Sequence, residues 1–182
     1  MVSAGSASIC DVNQTTLIAM STISPALSSQ VVDTTRLPCV NVGFSSTAYG
    51  VNEDAGMATI TVTLSATSSF TVTVDYGTSD GTATAGQDYA AASGTLTFVP
   101  GDTSETFTLV ITDDLDAEGD ETVALMLSNP TNAAIAGSNP AILTITDDDY
   151  ALTVNVVGSG SVAREPDQTT YHYGDVVTLT AS

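Results

Sequence analysis

The sequence predicts an all-β fold, an antiparallel β-sandwich flanked by short strands. Between residues 57 and 146, apolar residues alternate with Thr and Ser through six segments, and a period of two is typical of half-buried strands. These segments are rich in Thr, Val and Ile, which favour strands over helices. No segment of the chain keeps a helical period for long. Short strands with one apolar face each therefore indicate a sandwich.

The alternation places each strand in turn. Six strands are expected at 57–64, 70–76, 94–99, 105–111, 122–128 and 141–146. A first edge strand, split into 40–44 and 48–51, is expected to precede them. The segment Pro100-Gly101-Asp102-Thr103 is a compact turn signal between the third and fourth of the six. Residues 129–140 are expected to form a loop.

Strand direction predicts that the acidic residues gather at one end of the sandwich. We assume that each strand runs antiparallel to the one before it. One end of the sandwich then holds the first residue of the first of the six strands. The same end of the sandwich holds the last residues of the second, fourth and sixth strands. That end, the acidic pole, receives Glu53, Asp88, the run 113–121 and the triple Asp 147–149. The opposite end receives only Asp102. This inference holds whatever the order of strands in the sheets.

The acidic pole has almost no basic residues to neutralise it. The chain has 21 Asp and Glu, no Lys, and only Arg36 and Arg164, for a net charge of −19 at pH 7. Carboxylates that converge repel each other, so a cation must supply positive charge. Oxygen ligands without a Cys or His cluster indicate a hard divalent ion, Ca²⁺ ahead of Mg²⁺. Each acidic segment alone is better explained as a solvated loop or linker, and only their shared pole, with the motifs below, favours metal binding.

Five motifs, in this order and spacing, resemble the Calx-β domain. They are Asn52-Glu53-Asp54-Ala55-Gly56, the segment 80–89 (DGTATAGQDY), Phe98-Val99-Pro100-Gly101-Asp102, Asp113-Asp114 followed by Glu118-Gly119-Asp120-Glu121, and Asp147-Asp148-Asp149. The resemblance covers residues 40–149. It implies an immunoglobulin-like, seven-stranded sandwich that binds several Ca²⁺ ions at one pole, as in the calcium-sensing members of the sodium–calcium exchangers.

The resemblance also implies the metal ligands, and every matched position is acidic in this chain. They are Glu53, Asp88, Asp114, Glu118, Glu121, Asp147, Asp148 and Asp149. The backbone carbonyl of Asp116 is a further ligand, and Asp113 is either a ligand itself or in contact with the ligands. Paired carboxylates also occur in glycosidases. The chain has no Trp and few aromatic residues to form sugar platforms, so we expect calcium binding without enzymatic activity.

Residues 150–182 form a different, partial β module. The stretches 152–162 and 171–181 resemble the opening of a bacterial InlB B-repeat-like surface module, without its usual continuation. Two or three short strands cannot bury a core alone, and their free edges invite strand addition by neighbouring modules or identical subunits. His172 has no second His or Cys nearby in the sequence. We therefore expect it to be an ordinary strand or turn residue rather than a metal ligand.

Residues 1–39 form a Ser- and Thr-rich segment with a possible extra strand at 16–20. Cys10 and Cys39 are candidates for a disulfide, which would contribute roughly 3 kcal/mol by restricting the unfolded chain. Two buried free thiols are the alternative.

Composition bounds the partners and the location. The net charge of −19 excludes nucleic-acid phosphate as a partner, and no apolar run approaches the ~20 residues of a membrane span. The expected function is that of a structural module in a secreted, extracellular protein of a bacterial cell surface, such as an adhesin or fibre. In that role Ca²⁺ stiffens the acidic pole and the junction to the next module. The alternative is a calcium-sensing regulatory domain like that of the exchangers.

Overall fold

The structure, a computed structural model, describes residues 40–182. It consists of strands and one short 3₁₀ turn, Glu53–Ala55. The strands are β1 (Asn41–Phe44), β2 (Ala48–Asn52), β3 (Met57–Leu64), β4 (Val72–Asp80), β5 (Ser93–Phe98), β6 (Ser104–Val110), β7 (Glu121–Thr131), β8 (Ala134–Ile135), β9 (Ala141–Thr146), β10 (Asp149–Ala151), β11 (Val162–Glu165), β12 (Thr170–His172) and β13 (Thr178–Ala181). No helix among these residues is long and apolar enough to cross a membrane.

Two sheets form the predicted sandwich. One has the strand order β6-β3-β1-β8 and the other β2-β9-β7-β4-β5. Neighbouring strands are antiparallel except in the pairs β1–β8 and β2–β9. The first strand is split as predicted, and its halves enter different sheets. Counting those halves as one strand, and setting aside the two-residue β8, leaves the seven strands that the resemblance implies.

The core lies between the two sheets and confirms the alternation. Ile60 and Val62 of β3 and Val74 of β4 are fully buried, and burying one such side chain contributes about 1.5–3 kcal/mol. Tyr76 stacks on Phe107 across the sheets, with ring centroids 4.0 Å apart. These contacts hold the strand ends, and with them the acidic pole, in fixed positions.

Three predicted elements differ from the structure. Residues 129–140 are not wholly a loop, because β7 continues to Thr131 and β8 pairs with β1. Of the predicted edge strand, β1 is therefore not at an edge, whereas β2 is. A two-residue strand carries no alternation that a sequence could reveal. β4 continues past Tyr76 to Asp80, held by pairing with β7 although Gly77, Thr78 and Ser79 are not apolar.

The C-terminal segment forms two small two-stranded sheets. β10 pairs with β12 and β11 pairs with β13, both antiparallel. Residues 152–157 form no strand, although the sequence alternates there. β10 begins at Asp149, so the expected boundary between the two modules runs through a strand. The relation of this segment to a bacterial surface module stays a prediction.

Candidate metal centre

Four segments bring acidic side chains to the end of the sandwich that strand direction predicted. They are the 3₁₀ turn after β2, the β4–β5 connection, the β6–β7 loop and the end of β9. The β4–β5 connection is anchored by Tyr89, which is 1% exposed and donates a hydrogen bond to Asp80 Oδ1 at 2.7 Å. Burial, and then the bond to Asp80, raise the pKa of Tyr89 to about 12. Asp88, the neighbouring residue, is thereby held at the pole.

Within residues 40–182, three groups of side chains each offer one ligand-capable atom per residue within 4.8 Å of the others. The Glu121 group is Asp88, Glu118 and Glu121; the Glu53 group is Glu53, Asp147 and Asp149; the His172 group is Asp113, Asp148 and His172. Eight of the ten predicted metal residues therefore lie in a group. The first two groups offer oxygen atoms only, which is the donor set that Ca²⁺ prefers.

Asp147 fastens the β6–β7 loop to the end of β9. Its Oδ2 accepts hydrogen bonds from the backbone N–H of Glu118 at 2.9 Å and of Gly119 at 2.7 Å, and its Oδ1 accepts one from Asp149 N–H at 2.9 Å. Gly119 has φ +96°, a conformation that residues with a Cβ rarely adopt. Burial alone would raise the pKa of Asp147, but the three backbone donors outweigh it and hold that pKa below its ordinary value.

Glu53 is a buried carboxyl group facing other acids. Its residue is 9% exposed, and its Oε1 accepts a hydrogen bond from Asp114 N–H at 3.3 Å. Burial, reinforced by the charges of Asp114, Asp147 and Asp149, raises the pKa of Glu53 to about 7, against the opposing effect of the Asp114 N–H. At neutral pH both the protonated and the charged form of Glu53 are therefore populated.

The Glu121 group surrounds a cavity of about 10 Å³, which is close to the space needed for one water-sized sphere. Its lining includes Glu53, Asp88, Glu118, Glu121 and Asp147. Burial has the largest effect on Glu121, followed by its hydrogen bond with Asp88 and the charge of Asp88, and together they raise the pKa of Glu121 to about 7. Burial and then Asp88 also raise the pKa of Glu118. The cavity has room for an ion and not for an organic substrate.

Asp149 provides the clearest sign that a cation belongs here. Its side chain is fully buried, and neither of its oxygens accepts a hydrogen bond from any residue between 40 and 182. Asp148 Oδ1 is buried and unpartnered in the same way. Burial raises the pKa of Asp149, and the charges of Asp148, Asp147 and Asp113 add to this effect while His172 opposes it. His172 Nδ1 lies 3.0 Å from Asp149 Oδ1, but a buried carboxylate that accepts no hydrogen bond still costs several kcal/mol, so the oxygen donors of the pole fit a divalent ion.

Asp114 and Asp116 lie beside the groups and not within them. Asp114 Oδ1 accepts a hydrogen bond from Asp116 N–H at 2.8 Å, which shapes the β6–β7 loop. Metal ligation by these two residues stays a prediction. Cys10 and the candidate disulfide partner Cys39 lie outside the described residues.

His172 is the residue of the pole that the sequence did not reveal. It lies in a strand, as expected, but β12 pairs with β10 in a register that places it opposite Asp149. Its Nδ1 is 3.0 Å from Asp149 Oδ1 and 3.8 Å from Asp148 Oδ2. The alternation of the C-terminal segment does not indicate where its strands pair, so the sequence carried no signal of this contact.

Comparison with known proteins agrees with the fold. The model of the Calx-beta domain family matches residues 39–149. The chain therefore belongs to the Calx-beta domain family.

Its relatives include sodium/calcium exchangers. Sodium/calcium exchanger 1 of Rattus norvegicus is 33% identical over 133 residues, covering 63% of this chain and 14% of the exchanger. Sodium/calcium exchanger Calx of Drosophila melanogaster is 34% identical over 113 residues, covering 62% of this chain and 12% of the exchanger. The chain thus corresponds to a small part of these relatives.

Solved structures extend the likeness to three dimensions. The apo-form Calx CBD1 domain has a TM-score of 0.59 at 32% identity, covering 60% of this chain and 98% of that domain. The calcium binding domain CBD12 of CALX1.1 has a TM-score of 0.57 at 33% identity, covering 59% of this chain and 44% of that one. These relatives favour the calcium-sensing alternative over the role of a bacterial adhesin.

Proposed function

We propose that this chain is a non-enzymatic calcium-binding regulatory module. The observation that carries the proposal is the fully buried carboxylate of Asp149, which accepts no hydrogen bond from residues 40–182 and stands in one group with Glu53 and Asp147. A bound Ca²⁺ supplies the positive charge that the acidic pole lacks. The Glu53 and Glu121 groups would hold it through oxygen atoms, consistent with the calcium binding domain among the relatives.

The β6–β7 loop is the element whose order depends on that charge. Glu118 and Gly119 fix the loop to Asp147 through their N–H groups, while the Glu118 side chain faces Asp88 and Glu121. Two like charges ~4 Å apart repel by about 1–4 kcal/mol in surroundings that range from water to the protein surface. Without a cation, this repulsion opposes the two hydrogen bonds and loosens the loop.

The C-terminal segment receives the change at the pole. Tyr173 N–H donates a hydrogen bond to the Asp148 carbonyl at 2.9 Å, and the Thr170 hydroxyl donates one to the Leu115 carbonyl of the β6–β7 loop. β10, which pairs with β12, begins at Asp149 itself. Ordering of the loop therefore also stabilises the position of β12, and the sandwich can pass a calcium signal to the C-terminal segment.

Calorimetric titration with calcium, with magnesium as the competing ion, tests this proposal. We expect selective calcium binding that Asp149→Asn weakens at least tenfold. The control Asp102→Asn removes one acid at the opposite end and should leave the affinity unchanged. Equal affinities in the two variants, or no heat of binding in the unmodified chain, would refute the proposal.

A structural role outside cells is the second candidate, and the direct contacts between pole and C-terminal segment support it. In that role calcium fixes the angle of the following module in a secreted protein, and strand addition joins neighbouring subunits. The affinity separates the two roles. Micromolar dissociation constants favour regulation, whereas values from tens of micromolar to millimolar favour a structural site in calcium-rich surroundings.

A further inference from the structure

The His172 group differs in chemistry from the other two groups of the acidic pole. It joins one imidazole to the carboxylates of Asp113 and Asp148, with a ligand-capable atom from each within 4.8 Å of the others. Ca²⁺ is held by oxygen atoms, whereas imidazole is a preferred ligand of Zn²⁺ and other first-row transition ions. The nitrogen donor therefore sets this group apart, although Asp113 and Asp148 are predicted calcium ligands by resemblance.

The backbone holds His172 in this position from both sides. Tyr173, the next residue, donates its N–H to the Asp148 carbonyl at 2.9 Å. His172 N–H donates to Asp175 Oδ2 at 3.2 Å, and Asp175 N–H donates to the His172 carbonyl at 3.1 Å. These bonds fix the backbone of His172 beside Asp148 before any ion binds, which lowers the cost of assembling a site.

Unpartnered buried oxygens point at the same place. Asp148 Oδ1 is buried, and within residues 40–182 it has no hydrogen-bond partner. The fully buried side chain of Asp149 directs Oδ1 to 3.0 Å from His172 Nδ1, yet this contact lacks the geometry of a hydrogen bond. The imidazole thus stands among carboxylate oxygens that no other donor in the described chain satisfies.

We propose that Asp113, Asp148 and His172 form a second metal site, selective for a transition ion of the Zn²⁺ class, at the junction between the sandwich and the C-terminal segment. Zn²⁺ binds nitrogen and oxygen ligands at about 2.0–2.2 Å, so its ligands stand within about 4.4 Å of each other. The ligand-capable atoms of the three residues now lie within 4.8 Å of one another, so they need to move only slightly to reach these distances. Asp113 is exposed and His172 half-buried, which leaves a position open for water. A bound ion would fasten β12 to the pole.

The competing interpretation is that His172 acts only as a neighbour of the buried Asp149, without a metal. The two differ in what a zinc ion does to the imidazole. His172 is the chain's one histidine, so its ring gives a single set of proton resonances that reports this position alone.

The test is a zinc titration of the full chain in saturating calcium, followed by the His172 ring resonances and by calorimetry. The background is C10S/C39S, which removes thiols that would bind zinc elsewhere. We expect one zinc ion to shift the ring resonances, and His172→Ala and Asp113→Asn each to weaken zinc binding at least tenfold. Because Asp113 is exposed, Asp113→Asn remains informative if His172→Ala does not fold. Asp102→Asn is the control and should bind zinc as the parent chain does.

Unmoved ring resonances while zinc binds, or an undiminished zinc affinity in Asp113→Asn, would overturn the inference. Zinc binding that occurs without calcium and is absent in saturating calcium would also overturn it, because zinc would then occupy only the oxygen groups. Zinc binding through His172 in a chain that fails to bind calcium would support this inference and refute the proposed function.

Discussion

Asp149→Asn is expected to change thermal stability in opposite directions with and without calcium. The substitution keeps the size of the side chain and removes its charge, and at pH 8 the neighbouring Glu53, whose pKa is about 7, is mostly ionised. Asp149 then stands in a group of three carboxylates with oxygens within 4.8 Å of one another. Removing it relieves two repulsive pairs.

The magnitude can be worked out from that spacing. The repulsion between two carboxylates at this distance is about 1 kcal/mol in water and about 4 kcal/mol near a protein surface. Because part of this repulsion is screened, we expect Asp149→Asn to stabilise the metal-free chain by about 1–3 kcal/mol. At roughly 3–6 °C per kcal/mol for a domain of this size, the melting temperature in EDTA should rise by about 3–18 °C.

In calcium the sign reverses. A ligand at 100 times its dissociation constant stabilises the folded state by about 2.7 kcal/mol, and a variant without the Asp149 carboxylate loses most of that gain. Differential scanning calorimetry at pH 8 in EDTA and in calcium measures both effects. A variant that is destabilised equally in both conditions would refute the reasoning, because Asp149 would then stabilise the fold without a metal.

Two further predictions concern the acidic pole. Burial raises the pKa values of Glu53 and Glu121 to about 7. Protonation of these two groups therefore stabilises the folded chain at pH values below their pKa in the unfolded chain, and this stabilisation is lost as the pH rises through 7. The metal-free chain should therefore melt at a lower temperature at pH 8 than at pH 5.5, and its calcium affinity should be higher at pH 8. A higher melting temperature at pH 8, or a lower calcium affinity there, would contradict this. Gly119→Ala and its control Gly101→Ala, both at positive φ with open space around the Cβ, should each cost about 1–3 kcal/mol in a denaturant titration. Only Gly119→Ala should also weaken calcium binding, and an equal loss in both would contradict the role of the loop.

The fold and the position of the acidic pole were predictable because they depend on local signals. Alternation placed β3 and β9 at the bounds that the structure has, and strand direction brought Glu53, Asp88 and the two Asp runs to one end without knowledge of sheet order. The resemblance added the motif spacing that separates a metal centre from a solvated acidic loop.

The features that the sequence did not predict depend on long-range pairing. β8 has two residues, and its place beside β1 is set by the hydrogen bonds from Ala134 and Ala136 to the carbonyls of Val40 and Val42. The position of His172 depends on the β10–β12 register, which short strands with weak alternation leave open. The division of the pole into three groups also depends on which backbone N–H groups reach Asp147, and no residue pattern encodes that.

Hydrogen–deuterium exchange of the β6–β7 loop, with and without calcium, tests the central claim most directly. The account predicts that calcium slows exchange of the Glu118 and Gly119 amides at least tenfold, because it removes the repulsion that opens their hydrogen bonds to Asp147. The amides of residues 101–103, in the turn at the opposite end, should exchange at the same rate in both conditions. Equal exchange of Glu118 and Gly119 in EDTA and in saturating calcium would contradict the account.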